Sequence, residues 1–212
     1  MKYLHNLSHR AFITLCIVVV FLVIVVFNLF ALSYNNRIYP NIVVAGERVG
    51  GMSFEKAKMK LEAKERVFDK GLDVVYDTTK LTIGDSKTRS NPDASPLVVF
   101  DSEATLQQAI GIGRGENFFD NIQEQARSIF GGYSLDFSVS IDRLRLLEEL
   151  RKNFSSYEKL ATNAHVTVKT DSTIAIEDGE DGVSFNYEDT INTVINRFEN
   201  GTNTEVRLAA TT

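Results

Sequence analysis

The chain has 212 residues, with 28 acidic and 23 basic side chains, one cysteine, three histidines and no tryptophan. Residues 11–32 carry no charge, which leaves about 180 residues to fold in water as one domain or two small ones. Cys16 lies inside that run and acidic residues outnumber basic ones by seven beyond it, so the remainder has no thiol for disulfide, metal or nucleophile chemistry, and a nucleic-acid partner is disfavoured.

The uncharged run comes first in the chain. Its 22 residues make a helix of about 33 Å, enough for a hydrocarbon core of about 30 Å. A signal peptide is the competing reading, since Ala31-Leu32-Ser33 loosely resembles a cleavage site, but signal cores run only about 7 to 15 residues, so an uncleaved anchor is expected. Lys2 and Arg10 precede the run, which sets residues 1–10 in the cytoplasm and the remainder outside. The expected location is the cell membrane, as a single-pass protein.

Residues 41–45 read as a short strand, and Ser53 stands as a plausible N-cap for an amphipathic helix over 54–67, with Phe54, Ala57, Leu61 and Lys64 at helical spacing and Gly71 as the stop. Segments 72–76 and 81–83 flank Asp77-Thr78-Thr79 as a hairpin. A loop at 86–96 leads to a strand at 97–100 and a helix beyond Asp101. A helix is expected over 120–130, ending at Gly131-Gly132, then a strand at 137–141. Asp142 caps a helix running through 153, with Leu146, Leu147 and Leu150 on its apolar side. His165, the lone histidine past the apolar run, sits in the strand-like stretch 164–168; an ordinary strand position is expected there rather than a triad or metal site.

Two segments match. Val98, Phe100, Glu103, Thr105 and Ile110 recur as Val183, Phe185, Glu188, Thr190 and Ile195, with Asp101 answered by Asn186. The preceding hairpins align too, with Val75, Leu81, Ile83 and Asp85 against Val168, Ile174, Ile176 and Asp178. The expected fold is therefore α+β: an N-terminal transmembrane helix, then two related strand-helix-hairpin-strand-helix units at 38–132 and 133–208. Asp101 and Asn186 read as helix caps rather than catalytic acids.

The stretches IYPNIVVAGERVGGMSFEKAKMKL, FDSEATLQQAIGIGRGEN, NAHVTV and DGVSFNYEDTINTVINRF resemble the N-terminal region of VanW-type and YoaR-like membrane-anchored proteins. That region carries the peptidoglycan-binding domain called type 4, here about 97–208, which also precedes the catalytic domain of some L,D-transpeptidases. The resemblance implies an extracytoplasmic α+β module that binds peptidoglycan or a cell-wall partner and is itself noncatalytic, with the membrane and peptidoglycan as partners. Such proteins commonly continue into a VanW or transpeptidase domain. The alternative expectation is therefore the noncatalytic N-terminal part of a cell-wall enzyme. No cofactor is implied.

Gly111 to Asn117, GIGRGEN, has glycines suggestive of a phosphate loop, but it follows a helix instead of opening one, so helix termination is the better reading. Within it Arg114 and Asn117 are candidate ligand contacts, since a guanidinium suits a peptide-stem carboxylate and an amide suits a sugar amide; a structural salt bridge is the alternative. Tyr133 is the third candidate. It belongs with Phe118, Phe119 and Phe130 to an aromatic group expected to be mostly core. The acidic residues Glu177, Asp178, Glu180 and Asp181 do not fit a calcium loop, and a solvated turn is expected.

Overall fold

The computed structural model describes residues 9–84, 96–168 and 174–211. Helix α1 (His9–Ser33) takes up the uncharged run, and its large apolar side chains from Phe12 to Ile24 are exposed. Its polar groups bond within the helix, Asn28 Nδ2 donating to the Ile24 carbonyl and Ser33 Oγ to the Leu29 carbonyl, each at 2.8 Å.

Past α1, β1 (Ile42–Val44) and β2 (Glu47–Arg48) form a tight hairpin whose turn holds Ala45 and Gly46 at φ 46° and 80°. Positive φ at both turn residues gives the twist that suits antiparallel strands. Helix α2 (Phe54–Glu65) buries Ala57 and Leu61 and runs into a 3₁₀ turn at Arg66–Phe68. Ser53 holds the N-cap position with extended backbone, but its side chain makes no capping bond. Strands β3 (Leu72–Tyr76) and β4 (Thr79–Ile83) follow, joined by Asp77 and Thr78 alone, so that Thr79 pairs with Tyr76 instead of lying in the turn.

The next elements are β5 (Val98–Phe100), α3 (Ser102–Gly111), α4 (Phe118–Phe130), β6 (Tyr133–Leu135), β7 (Val139–Ile141) and α5 (Arg143–Phe154), then β8 (His165–Val168), β9 (Ile174–Glu177), β10 (Ser184–Phe185), α6 (Tyr187–Glu199), β11 (Val206–Arg207) and β12 (Ala210–Thr211). The chain is an α+β protein. Nearly all of the loop expected at 86–96 and the tip of the β8–β9 hairpin lie outside the described residues. That hairpin leaves Val166, Ile174 and Ile176 exposed, whereas Ile83 of the β3–β4 hairpin, aligned with Ile176 by sequence, is buried.

The two matching segments build the same junction bond for bond. Asp101 Oδ1 accepts from the Ala104 amide at 2.7 Å and Asn186 Oδ1 from the Asp189 amide at 3.1 Å, both as N-caps. The amides of Asp101 and Asn186 donate to the carbonyls of Ser138 and Ala209, each at 2.8 Å. Buried Thr105 and Thr190 then close each junction, their hydroxyls donating to the carbonyls of Asp101 and Asn186 and accepting from the amides of Ser138 and Ala209.

The division expected between residues 132 and 133 is crossed by three strand pairings. β1 takes β6 as a parallel neighbour, β3 takes β11 in the same way, and β5 pairs antiparallel with β7. A parallel neighbour needs a long crossover, so it comes from a distant part of the chain. One core gathers Tyr39, Leu61 and Leu106; the other gathers Leu72, Phe154 and Phe198. Phe100 stands between them, its ring centroid 5.3 Å from Phe68, 5.9 Å from Phe198 and 5.4 Å from Phe137.

The aromatic group expected in the core lies mostly outside it. Phe118, Phe119 and Phe130 are 54%, 78% and 86% exposed, and α4 buries Gln125 and Ser128 instead.

Candidate functional site

Where the turn after α4 meets β1, the backbones come close enough to demand glycine. Gly132 has φ 79°, and a Cβ there would lie 2.6 Å from the Asn41 carbonyl oxygen; a Cβ on Gly50 would lie 2.7 Å from the Asn41 amide nitrogen. No side chain fits at either contact. Asn41 ties the seam together, its Nδ2 donating to the Ile129 carbonyl at 2.9 Å and its own carbonyl accepting from the Tyr133 amide at 3.0 Å.

Alongside this seam opens a groove of about 710 Å³, lined by Asn41, Val43, Arg48, Phe130, Tyr133 and Ser134 among others. The Tyr133 ring carries the Arg127 guanidinium on one face, 4.9 Å from its centroid. Arg48 is exposed, and its neighbour Glu47 turns away to Lys60 at 3.1 Å and Lys64 at 3.8 Å, leaving Arg48 without a salt bridge among the described residues. The groove thus offers two aromatic rings and a guanidinium. Rings of this kind stack on apolar faces, and a guanidinium holds a carboxylate through paired hydrogen bonds.

Of the three residues singled out by sequence, Tyr133 lines this groove and the other two stand elsewhere. Arg114 Nη2 donates to the carbonyls of Tyr34 at 2.6 Å and Arg37 at 2.7 Å, Nη1 donates to the Ile110 carbonyl, and the guanidinium lies 4.3 Å from the Tyr39 ring centroid. Tyr34 follows the end of α1 and Ile110 lies in the last turn of α3, so one cation meets carbonyls where two helices finish. Burial lowers the pKa of Arg114 and raises that of Tyr39, the nearby cation opposing the latter shift. The expected salt-bridge partner is replaced by backbone. Asn117 caps α4, its Oδ1 accepting from the Phe119 amide at 3.0 Å.

The glycine loop ends α3 as expected. Gly113 has φ 70°, its amide donates to Glu124 Oε2 at 2.5 Å, and its carbonyl accepts from Gln125 Nε2 at 3.0 Å. In the acidic segment Glu180 pairs with Lys159, which holds its carboxyl below the usual range through a hydrogen bond and its charge. Among the described residues no group of three or more His, Cys, Asp or Glu is placed to hold a metal ion. Sequence reasoning missed Asn41 and Arg48; the legible signal was the Pro40-Asn41 turn ahead of a β-branched run, with the Gly50-Gly51 pair soon after it.

A family model described as "Putative peptidoglycan binding domain" matches residues 93–207, more than half of the chain. The chain belongs to this family. No curated protein and no solved structure matches it. The peptidoglycan-binding domain so delimited begins ahead of β5 and reaches β11, supplying Phe130, Tyr133 and Ser134 to the groove. Asn41, Val43 and Arg48 come from the segment that precedes it.

Proposed function

We propose that this protein is a membrane-anchored extracytoplasmic module that holds peptidoglycan in the groove beside β1 and β6 and performs no chemistry on it. The observation that carries the reading is the family match, which supports the cell wall as ligand, and the groove's composition fits that ligand. Peptidoglycan presents acylated sugars, whose ring faces suit Tyr133 and Phe130, and short peptides, whose carboxylates suit Arg48. Arg114 and Asn117 serve in this reading by fixing the loop and the start of α4, rather than by touching the ligand.

The helix α1 supports membrane anchoring by length and composition, and Lys2 and Arg10 favour a cytoplasmic N-terminus. The matched junctions at Asp101 and Asn186 support descent of the two strand-helix segments from one duplicated unit. The motifs shared with VanW-type proteins favour kinship with that group and a cell-wall enzyme as partner.

Retention of the full chain, in mild detergent, on purified sacculi tests the binding. Single-module affinity is expected to be low, with tethering at the membrane raising the local concentration of wall. Tyr133→Ala and Arg48→Ala are each expected to weaken retention about tenfold. No retention above a control protein would defeat the function; unchanged retention by both variants would move the site away from the groove. Protease added to intact spheroplasts should remove everything beyond α1, and protection would reverse the topology.

A further inference from the structure

Helix α4 leaves the large aromatic residues of its apolar side exposed, while Ile122, Ala126 and Ile129 are half-buried. At 100° per residue, Phe118, Ile129, Ile122, Ala126, Phe119 and Phe130 fall within an arc of about 120°. The buried residues of the helix, Gln125 and Ser128, lie outside that arc, about 20° and 80° beyond Phe118. Gln125 Nε2 bonds inward to the Gly113 carbonyl at 3.0 Å, and Ser128 Oγ bonds within the helix to the Gln125 carbonyl at 2.8 Å. Phe118 and Phe119 at the start of the helix are exposed, with their rings edge to face at 5.8 Å.

The first two turns of α4 do not stand in open water. They run beside α1, leaving a crevice of about 230 Å³ between Val23, Ile24, Phe27 and Ala31 on one side and Phe118 and Ile122 on the other. Val23 lies ten residues before Ser33, so contact with α1 begins about 15 Å along the helix from its outer end. That is the depth of one leaflet, since the hydrocarbon core is about 30 Å thick. Arg114 fixes this geometry by holding the Tyr34 carbonyl at the end of α1 to the loop that leads into α4.

We propose that α4 is a lipid-contacting helix: Phe118, Phe119 and Ile122 lie among acyl chains of the leaflet on the domain's side, and an acyl chain fills the crevice against α1. The occupant follows from depth, because the crevice runs along the outer half of α1 and its wall is mostly apolar, with Asn28, Asn121 and Gln125 as its polar members. Interfacial helices that bind unaided are usually rich in Lys and Arg, whereas α4 carries only Arg127 against Asp120 and Glu124. It therefore depends on α1 for delivery to the membrane. The inference rests on α1 being a membrane span. Its consequence is that the domain sits on the bilayer in one orientation, with Phe130 at the far end of α4 marking where the groove opens.

The chain has no tryptophan, so an introduced one reports alone. The full chain carrying Phe119→Trp is reconstituted into phosphatidylcholine and phosphatidylglycerol vesicles made with or without acyl chains brominated at shallow or deep positions. Val19→Trp in the middle of α1 and Leu160→Trp, at a position 89% exposed on the domain, are measured in parallel. The expected result is blue-shifted Phe119→Trp emission quenched most by shallow bromines, Val19→Trp emission quenched most by deep ones, and Leu160→Trp emission unaffected. Quenching at position 19 without quenching at position 119 overturns the inference and leaves the span standing. Absence of quenching at position 19 removes the span and the inference with it. Blue-shifted but unquenched emission at position 119 means that protein, a second copy or another chain, covers the arc, and it too overturns the proposal.

Discussion

Replacing Arg114 by alanine removes a cation bonded to three backbone carbonyls and stacked on Tyr39. The bond to Arg37 is exposed, and water replaces it at little cost. The bonds to Tyr34 and Ile110 are partly buried; hydrogen bonds to charged groups contribute about 1.5–3 kcal/mol, and screening by nearby solvent reduces these two to about 1 kcal/mol each. Stacking on Tyr39 adds about 0.5–1 kcal/mol. Arg114→Ala should therefore cost about 3 kcal/mol, which at a urea slope of about 2 kcal/mol per molar moves the midpoint down by about 1.5 M. Near-ultraviolet circular dichroism of the full chain in mild detergent reads the transition. Arg114→Lys should recover less than half of the loss, because a compact ammonium neither spans three carbonyls nor lies flat on a ring. An alanine variant within about 0.5 kcal/mol of the parent would refute the clamp.

Thr105→Val and Thr190→Val each strip a partly buried backbone amide, that of Ser138 or Ala209, of its acceptor while keeping shape, so each should destabilise by about 1.5 kcal/mol. Chemical denaturation that shows one of them neutral would break the equivalence of the junctions. Glu65 accepts a hydrogen bond from Ser102, yet burial raises its carboxyl above the usual range. A folded-state pKa above the unfolded value means the native state binds the extra proton, so this group's contribution is full below about pH 4.5 and lost as pH rises through the folded value. Glu65→Gln should then raise the melting temperature at pH 7, with the gap closing below pH 4.5, and equal gaps at both pH values would contradict this.

Local chemistry was legible wherever neighbouring residues decide the outcome. The apolar run, the β3–β4 hairpin and the caps Asp101, Asp142 and Asn186 all follow from short-range patterns, and Asp142 does accept from the Arg145 amide at 3.1 Å. What stayed hidden depends on distant backbone. Arg114 bonds to carbonyls, and every residue has one, so no motif announces that partner. Periodicity reveals that α4 has an apolar arc, but not which side meets the domain, and aromatic residues are usually buried. The parallel neighbours β6 and β11 are short, and their partners β1 and β3 come from far upstream, so neither the pairing nor the groove beside Tyr133 follows from local sequence.

The crossing of strands between the early and late parts of the chain bears on how the protein is made. A chain made from its N-terminal end delivers β3 long before β11, and β1 before β6, so each early hairpin waits with one edge open. The core around Leu72 lacks Phe198 and Val206 until they emerge. Cutting at residue 132 would part β1 from β6, β3 from β11 and β5 from β7. Folding of the domain thus completes only when its last strands are delivered, and a chain stopped short of them exposes strand edges that invite aggregation and proteolysis.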